Sequence, residues 1–459
     1  EPIAADVASP ASTVAPTASD GLESDRLLRP GLADAVLTHN LRIENRIDDS
    51  VMRWAAGQPL LLRNGRGLAP FALAVPQPQA PALALGAQMK AALALRLPQH
   101  LLLSPELGEL SSCAAERHLQ HTTRQWLQRH QLQPRRIVCD QHPHYSSSQW
   151  AAELSEALVG ERDCRGASGL AVQHHHAHLL AVMAEHQLSG PMLGVAWDGA
   201  GLGDDGSLWG GEALQVSEDG YRRIAMLRPW PLPGGERALR EPRRSALGLL
   251  VNGFGEHWRQ QLQAVPDLEW QRAFAADDLQ LLEQGLERGI NSPLCSSIGR
   301  LFDAVAALLN LPQCCSYEAQ AASALEGLAL EALLTPRPEP WPLALPLQRS
   351  DPGEPLQWNW HPLLQQLLEG LRHGVARSAL ALAFHQALAQ AIGDLAAQQG
   401  SQQMLLAGGC FQNGLLLELT LEALSHQGCR GYWPQRLPCN DGALPIGQLL
   451  ARSSLPITG

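Results

Sequence analysis

The chain has 459 residues, 45% of them hydrophobic, and a net charge of −11, enough for two or three cores at about 100–200 residues per domain. The acidic balance argues against a nucleic-acid groove as the main surface. Nine cysteines show no CxxC spacing, and the closest pair, Cys314 and Cys315, are adjacent, which argues against an ordinary structural disulfide or a shared zinc site there and fits a reducing cytoplasm.

Residues 1–25 are small, polar and aperiodic and read as a tail. VLTHN, SVMRW and PLLLRNGRG follow as short strands, and APFALAVPQPQAPA reads as a proline-rich linker, which closes a first module at residues 1–76. ALALGAQMKAALALRLPQHLLL reads as two strands joined by a turn, AERHLQHTTRQWLQRH as a helix and RRIVCD as a strand. That order implies a mixed α/β lobe, placed at 77–190. PMLGVAWDGAG and SLWGGEALQV open a second lobe, 191–459, in the same way: a strand runs into a glycine turn and a second strand. Residues from about 237 to 375 are largely helical, interrupted by TPRPEPWPLALPLQRSDPGEP as a surface connection. A long helix near Ala376–Gln399, the strand QMLLA, the pair Gly408-Gly409 and a last helix near Gly442 return the α/β pattern. No apolar run reaches the roughly 18 residues of a membrane span, and the first residues lack the basic and apolar regions of a signal peptide. The expectation is a soluble, cytoplasmic protein that engages neither membrane nor nucleic acid.

VQHHHAH carries the most specific chemistry. On a helix His174 and His178 share a face, so two imidazoles can meet one ion while His175 and His176 point elsewhere. Asp198, 20 residues after His178, and Asp441 in LPCNDGALPIGQ supply carboxylates. Two imidazoles with one or two carboxylates leave open positions, as in a catalytic site for zinc or iron. For HxxxH alone the alternative is a histidine-rich helix end with no ion, and the two aspartates weigh against it.

The run from Asp198 through Gly199 and Gly201, and LLAGGCFQN with Gly408 and Gly409, place glycines where backbone N–H groups could approach phosphate oxygens. Singly each is no more than a turn signal; together they suggest a nucleotide clamp. Asp303, Glu318 and Gln320 lie near helix starts and could hold ribose hydroxyls, with helix capping or a surface role as the alternative. No nucleophile elbow or Ser-His-Asp spacing stands out. Metal plus phosphate-binding loops suits acyl transfer from a nucleotide-activated donor.

VQHHHAH, AWDGAGLGDDGSLWGGE, LPGGERALREPRR, SSIGRLFDAVAALL, SYEAQAA, AGGCFQN and PCNDG resemble, in order and spacing over about residues 27–450, the C-terminal region of the HypF-type carbamoyltransferases of nickel–iron hydrogenase maturation. The resemblance implies an α/β, two-lobed actin/Hsp70/sugar-kinase-like fold preceded by a partial YrdC-like α/β module. It implies that carbamoyl adenylate, made from carbamoyl phosphate and ATP, is the donor. The acceptor it implies is the C-terminal cysteine thiol of a HypE-like protein, whose thiocarboxamide is the precursor of the hydrogenase cyanide ligands. Carried onto this chain, His174, His178 and Asp441 match metal ligands. Asp198 is a further ligand or metal-adjacent carboxylate, and His174, His178 and Asp198 form the catalytic group. Gly199, Gly201, Asp303, Glu318, Gly408, Gly409 and Asn413 fall in matching nucleotide-binding segments. The departures are SPELGEL where the family has SQHIGDL, which puts Glu106 in place of a histidine, and QHPHY for LHPDY. Upstream, only Glu1-Pro2 and the segments LTHNLRIENRIDDSV and LLLRNGRGLAP resemble the adenylation module. The expectation is therefore transfer of a preformed carbamoyl group in preference to its adenylation. The alternatives are a small-molecule O-carbamoyltransferase, an ATPase or kinase of the same fold, and a non-catalytic maturation scaffold.

Overall fold

The computed structural model describes residue 35 and residues 45–75, 79–159, 168–263, 265, 267–334, 341–349, 351–452 and 455–456. The tail, VLTHN and Glu1-Pro2 lie outside the described residues. Two sheets organise the chain. The first has seven strands in the order 455–456, 168–172, 136–140, 82–84, 94–96, 100–103, 71–74. Its centre is parallel, Arg136–Asp140 lying between Ala82–Ala84 and Ser168–Val172. The second runs 347–348, 356–358, 220–227, 208–217, 192–202, 403–407, 430–432. Its long hairpin Met192–Leu202 with Leu208–Ser217 is antiparallel, and Gln403–Ala407 joins Met192–Leu202 in parallel.

The sequence reading differs from this in three places. The stretch read as a linker contains the strand Phe71–Ala74, paired with His100–Leu103 at the sheet edge, where its proline neighbours are tolerated because one side needs no ladder. Residues 82–103 form three strands, not two. The glycines after Asp198 are not a turn: the strand runs on to Leu202, and the turn falls at Gly203–Ser207, with Gly203 N–H donating to Ser207 O at 2.9 Å.

The helix His174–Glu185 lies between the sheets, and every residue from His174 to Met183 is buried. A helix buried all round has no polar stripe to display, which explains its uninterrupted apolar run. Its cluster takes Leu101 and Leu103 from the first sheet, Leu214 and Leu405 from the second, and Ile446 from the helix Leu444–Leu450. The second lobe has its own core, in which Trp197, Trp230, Trp358 and Trp360 are fully buried. Each such side chain contributes about 1.5–3 kcal/mol. Trp197 meets Trp358 edge to face at 5.6 Å and stacks on Phe411, which fixes the strand that ends in Asp198.

The small hairpin Val51–Ala55 and Gln58–Arg63 is fastened to the second lobe. Arg53 donates to both oxygens of Glu326 at 2.7 and 2.9 Å, and Asn440 Nδ2 donates to Leu62 O at 2.8 Å. Among the described residues no helix is long and apolar enough to cross a membrane.

Candidate functional site

His174 is the first residue of its helix, because Gln173 caps it. Gln173 Oε1 accepts the His176 N–H at 2.9 Å, while Nε2 donates to His175 Nδ1 and to Leu202 O, both at 3.1 Å. The cap ties the helix start to the strand that carries Asp198 and satisfies one orphan donor. His174 Nδ1 donates to Asp140 Oδ2 at 2.7 Å, which turns Nε2 toward Asp198 Oδ2, 3.3 Å away, and Asp441 Oδ1, 3.7 Å away. His178 Nε2 lies 3.4 Å from Asp441 Oδ1 and 3.9 Å from Asp198 Oδ2 and has no hydrogen-bond partner. One ligand atom from each of His174, His178, Asp198 and Asp441 falls within 4.8 Å of the others. The structure thus brings together all four residues expected from the sequence.

The electrostatics favour a cation. Burial opposes a charge on His174, yet Asp140, Asp441 and Asp198 outweigh it and hold its pKa well above the usual imidazole range. Burial would raise the Asp198 pKa, but His174 and His178 hold it well below the carboxylate range. Two neutral imidazoles and two carboxylates would balance a dication. The buried, unpartnered His178 Nε2 and the mixed nitrogen and oxygen donors fit zinc or iron. Asp140 fixes the His174 tautomer in the way outer carboxylates orient metal-bound histidines. The sequence reading missed Asp140, whose only signal was its place at the C-terminal end of a strand, where α/β sheets collect their sites.

The neighbouring glycines serve this geometry. A Cβ on Gly201 would lie 2.7 Å from His175 Cε1 and 2.9 Å from His174 Cδ2, so the strand can pass the histidines only as glycine. Gly408 has φ +96° and would place a Cβ 2.3 Å from Trp197 O. The Gly409 N–H donates to Asp198 Oδ1 at 2.9 Å, so this amide holds a cluster residue. Gly199 is different, since a Cβ there would meet only Arg300 Nη2, at 3.8 Å. The Asp198 and Gly199 carbonyls both accept from Ser297 Oγ, at 2.7 and 2.6 Å. Ser297 also caps the helix Ile298–Leu308 by accepting the Arg300 N–H.

The residues expected at the ribose each have a partner within the protein. Asp303 sits within the helix Ile298–Leu308, not at its start, and pairs with Arg300 at 2.5 Å. Glu318 is about half exposed and pairs with Lys90 of the first lobe. Gln320 Oε1 accepts the Ser316 N–H at 2.8 Å, a local contact. Asn413 caps the helix Gly414–His426 through Leu416 N–H at 2.9 Å, and its Nδ2 meets His385 Nε2 at 2.9 Å. His176 Nε2 donates to Ser217 O at 2.8 Å, away from the cluster. A second buried network, not legible in the sequence, braces the hairpin. Glu212 accepts from Gly210 and Gly211 N–H, Ser296 Oγ and Arg223, whose guanidinium lies 4.0 Å over Trp209.

Burial pushes the Asp303 carboxyl up to about 6 against the opposing effect of Arg300. The unfolded value is about 3.9, so the folded state holds this proton more tightly and its contribution to stability is lost as pH rises from about 4 through about 6. Relative to the native chain, Asp303→Asn should therefore gain stability between pH 4 and pH 7, read as the difference in urea midpoints. A difference that stays flat across that window would exclude this role for burial.

Residues 77–185 match the HypF Kae1-like domain, and residues 194–448 match the second subdomain of the carbamoyltransferase Kae1-like domain. Carbamoyltransferase HypF of Synechocystis sp. is 36% identical over 431 residues, covering 92% of this chain and 54% of that protein. A carbamoyltransferase HypF homolog of Cupriavidus necator is 37% identical over 388 residues, covering 82% of this chain and 92% of the homolog.

The chain belongs to the HypF carbamoyltransferase family.

It spans about half the length of HypF proteins such as those of Synechocystis sp. and Rhodobacter capsulatus. The crystal structure of full-length HypF in its phosphate- and nucleotide-bound form superposes with a TM-score of 0.78 at 30% identity, covering 89% of this chain and 51% of that one. The T. kodakarensis HypF crystal structure gives 0.77 at 27% identity, covering 88% and 52%. The α/β, two-lobed architecture is thus the HypF Kae1-like one.

Proposed function

We propose that this HypF-family chain transfers a carbamoyl group from carbamoyl adenylate to the C-terminal cysteine thiol of a HypE-like acceptor, in the synthesis of hydrogenase cyanide ligands. The observation that carries this reading is the quartet of His174, His178, Asp198 and Asp441, the first three buried, between two lobes that both match HypF Kae1-like domains. In the reaction the acceptor sulfur forms a bond to the carbamoyl carbon, the bond from that carbon to the AMP phosphate oxygen breaks, AMP leaves and the thiol proton is released. A zinc or iron ion held by the quartet would supply Lewis-acid polarisation of the carbamoyl group. Asp140 orients His174, the Gly409 amide holds Asp198, and the open face at Gly199 leaves room for a ligand beside Asp198. In this reading Gly201, Gly408 and Asn413 shape the nucleotide cleft through the backbone, Asp303 lies in its wall, and the hairpin 51–63 is the end of a YrdC-like module.

The test supplies carbamoyl adenylate and a HypE-like protein to the chain and follows both partners by mass spectrometry. One carbamoyl group on the acceptor's terminal cysteine, with equimolar AMP, is expected. Carbamoylation of a hydroxyl substrate alone would assign a small-molecule O-carbamoyltransferase. Modification of a cysteine of this chain, or no transfer at all, would remove the proposal.

A further inference from the structure

Lys90 is a cation placed between the lobes. It ends the turn after the strand Ala82–Ala84 and has φ +44°, a left-handed conformation that a side chain adopts only when its surroundings hold it there. The hold is visible: the next residue, Ala91, donates its N–H to Gly108 O at 2.8 Å and accepts from Leu107 N–H at 2.6 Å. The ammonium reaches across the lobe boundary, where it is one-fifth exposed and pairs with Glu318. The same ammonium is within electrostatic reach of Asp441 and of Glu106. Burial alone would lower its pKa, but Glu318 and Asp441 raise it, so the charge is kept.

The partner is an unusual choice for a structural pair. Glu318 is 52% exposed, and its carboxylate reaches Lys90 from the solvent side. A half-exposed ion pair is worth about 0–1 kcal/mol, which gives little reason to strain a backbone. Glu106 does not complete the pairing: Arg63 Nε lies 3.8 Å from its Oε1, and Oε2 is buried without a hydrogen-bond partner. An anionic donor entering beside a quartet whose two carboxylates would no more than balance a dication gains from a further positive charge near its phosphate. Arg300 is already committed to Asp303 and to Leu239 O. The one direct ion pair of Lys90 among the described residues is with the half-exposed Glu318.

We propose that Lys90 is the seat for the phosphate of the nucleotide-activated donor, and that Glu318 occupies this seat until the phosphate displaces it. The inference rests on the functional reading above and deepens it. Glu318, expected from the sequence to hold a ribose, instead acts as the phosphate's stand-in. The exchange is favourable because a phosphate offers more charge and more acceptor oxygens than one solvated carboxylate.

Calorimetric titration of the chain with AMP and, separately, with adenosine tests this. Lys90→Met should weaken AMP by roughly 10–100-fold, the loss of one charge-assisted contact, and leave adenosine affinity unchanged. Glu318→Gln, an exposed and structurally mild change, should tighten AMP about two- to five-fold and again leave adenosine alone. The assignment is overturned if AMP affinity is indifferent to Lys90→Met, or if AMP and adenosine weaken together. Weaker AMP binding by Glu318→Gln would return Glu318 to the ribose. If the native chain binds neither ligand, the nucleotide reading itself falls, and the phosphate seat falls with it.

Discussion

Replacing His174 and His178 together by alanine should abolish stoichiometric metal and carbamoyl transfer while leaving the chain folded. The two imidazoles supply both nitrogen donors of the quartet, and Asp198 and Asp441 alone would be two adjacent carboxylates without the donors that suit zinc or iron. Folding should survive because the packing that holds the helix comes from Leu179, Leu180, Val182 and Met183, which the substitutions do not touch. Asp140→Ala should be milder: it frees the His174 ring without removing a ligand, and losing such an outer partner costs roughly 10–100-fold in metal affinity. Elemental analysis after dialysis against a weak chelator, with mass spectrometry of the acceptor, reads both effects. A double variant that keeps one zinc or iron per chain would show that the quartet is not the metal site.

Gly447→Ala should give the largest loss of stability of any single methyl addition near the site. A Cβ at this position would lie 1.8 Å from Ala177 O and 2.6 Å from Ala177 C, backbone atoms of the histidine helix that no rotamer change can move. Helix Leu444–Leu450 would have to lift off helix His174–Glu185, carrying Asp441 with it through the turn Asp441–Ala443. Overpacking of flexible side chains costs about 1–3 kcal/mol; a backbone clash belongs at or above the upper end of that range. The measurement is the thermal midpoint together with metal content, because the same displacement pulls Asp441 away from His178. A variant with unchanged midpoint and full metal would mean that the two helices do not cross this closely.

Chemistry written in local spacing was legible before any fold was known. The i,i+4 pair His174 and His178 lies on one helix, so its convergence follows from helix geometry alone, and Asp198 and Asp441 were marked by distinctive neighbours. Asp140 was not legible, because its contact with His174 depends on where a parallel strand ends relative to a helix that begins 34 residues later. The glycines were read as places for phosphate to approach. The structure shows Gly201 making room for two imidazoles and the Gly409 amide engaged by Asp198, and only side-chain neighbours from other elements decide between those uses. Asn413, read with its nucleotide-binding motif, is a helix cap in contact with His385. Strand Phe71–Ala74 was hidden in a proline-rich stretch, since an edge strand of four residues needs only one partner and carries little periodic signal.

The sequence by itself determined the α/β composition, the histidine helix and the four residues of the cluster in kind, the histidine pair through fixed helical spacing and Asp198 and Asp441 through their local motifs. Only the tertiary structure decided that Asp140 sets the His174 tautomer, that Lys90 and Glu318 meet across the lobes, and that Asp303 is turned inward to Arg300. Each of those contacts joins segments, or selects a face, through packing between elements, and nothing in the order of residues specifies a distance between elements until both sheets have closed on the helix between them.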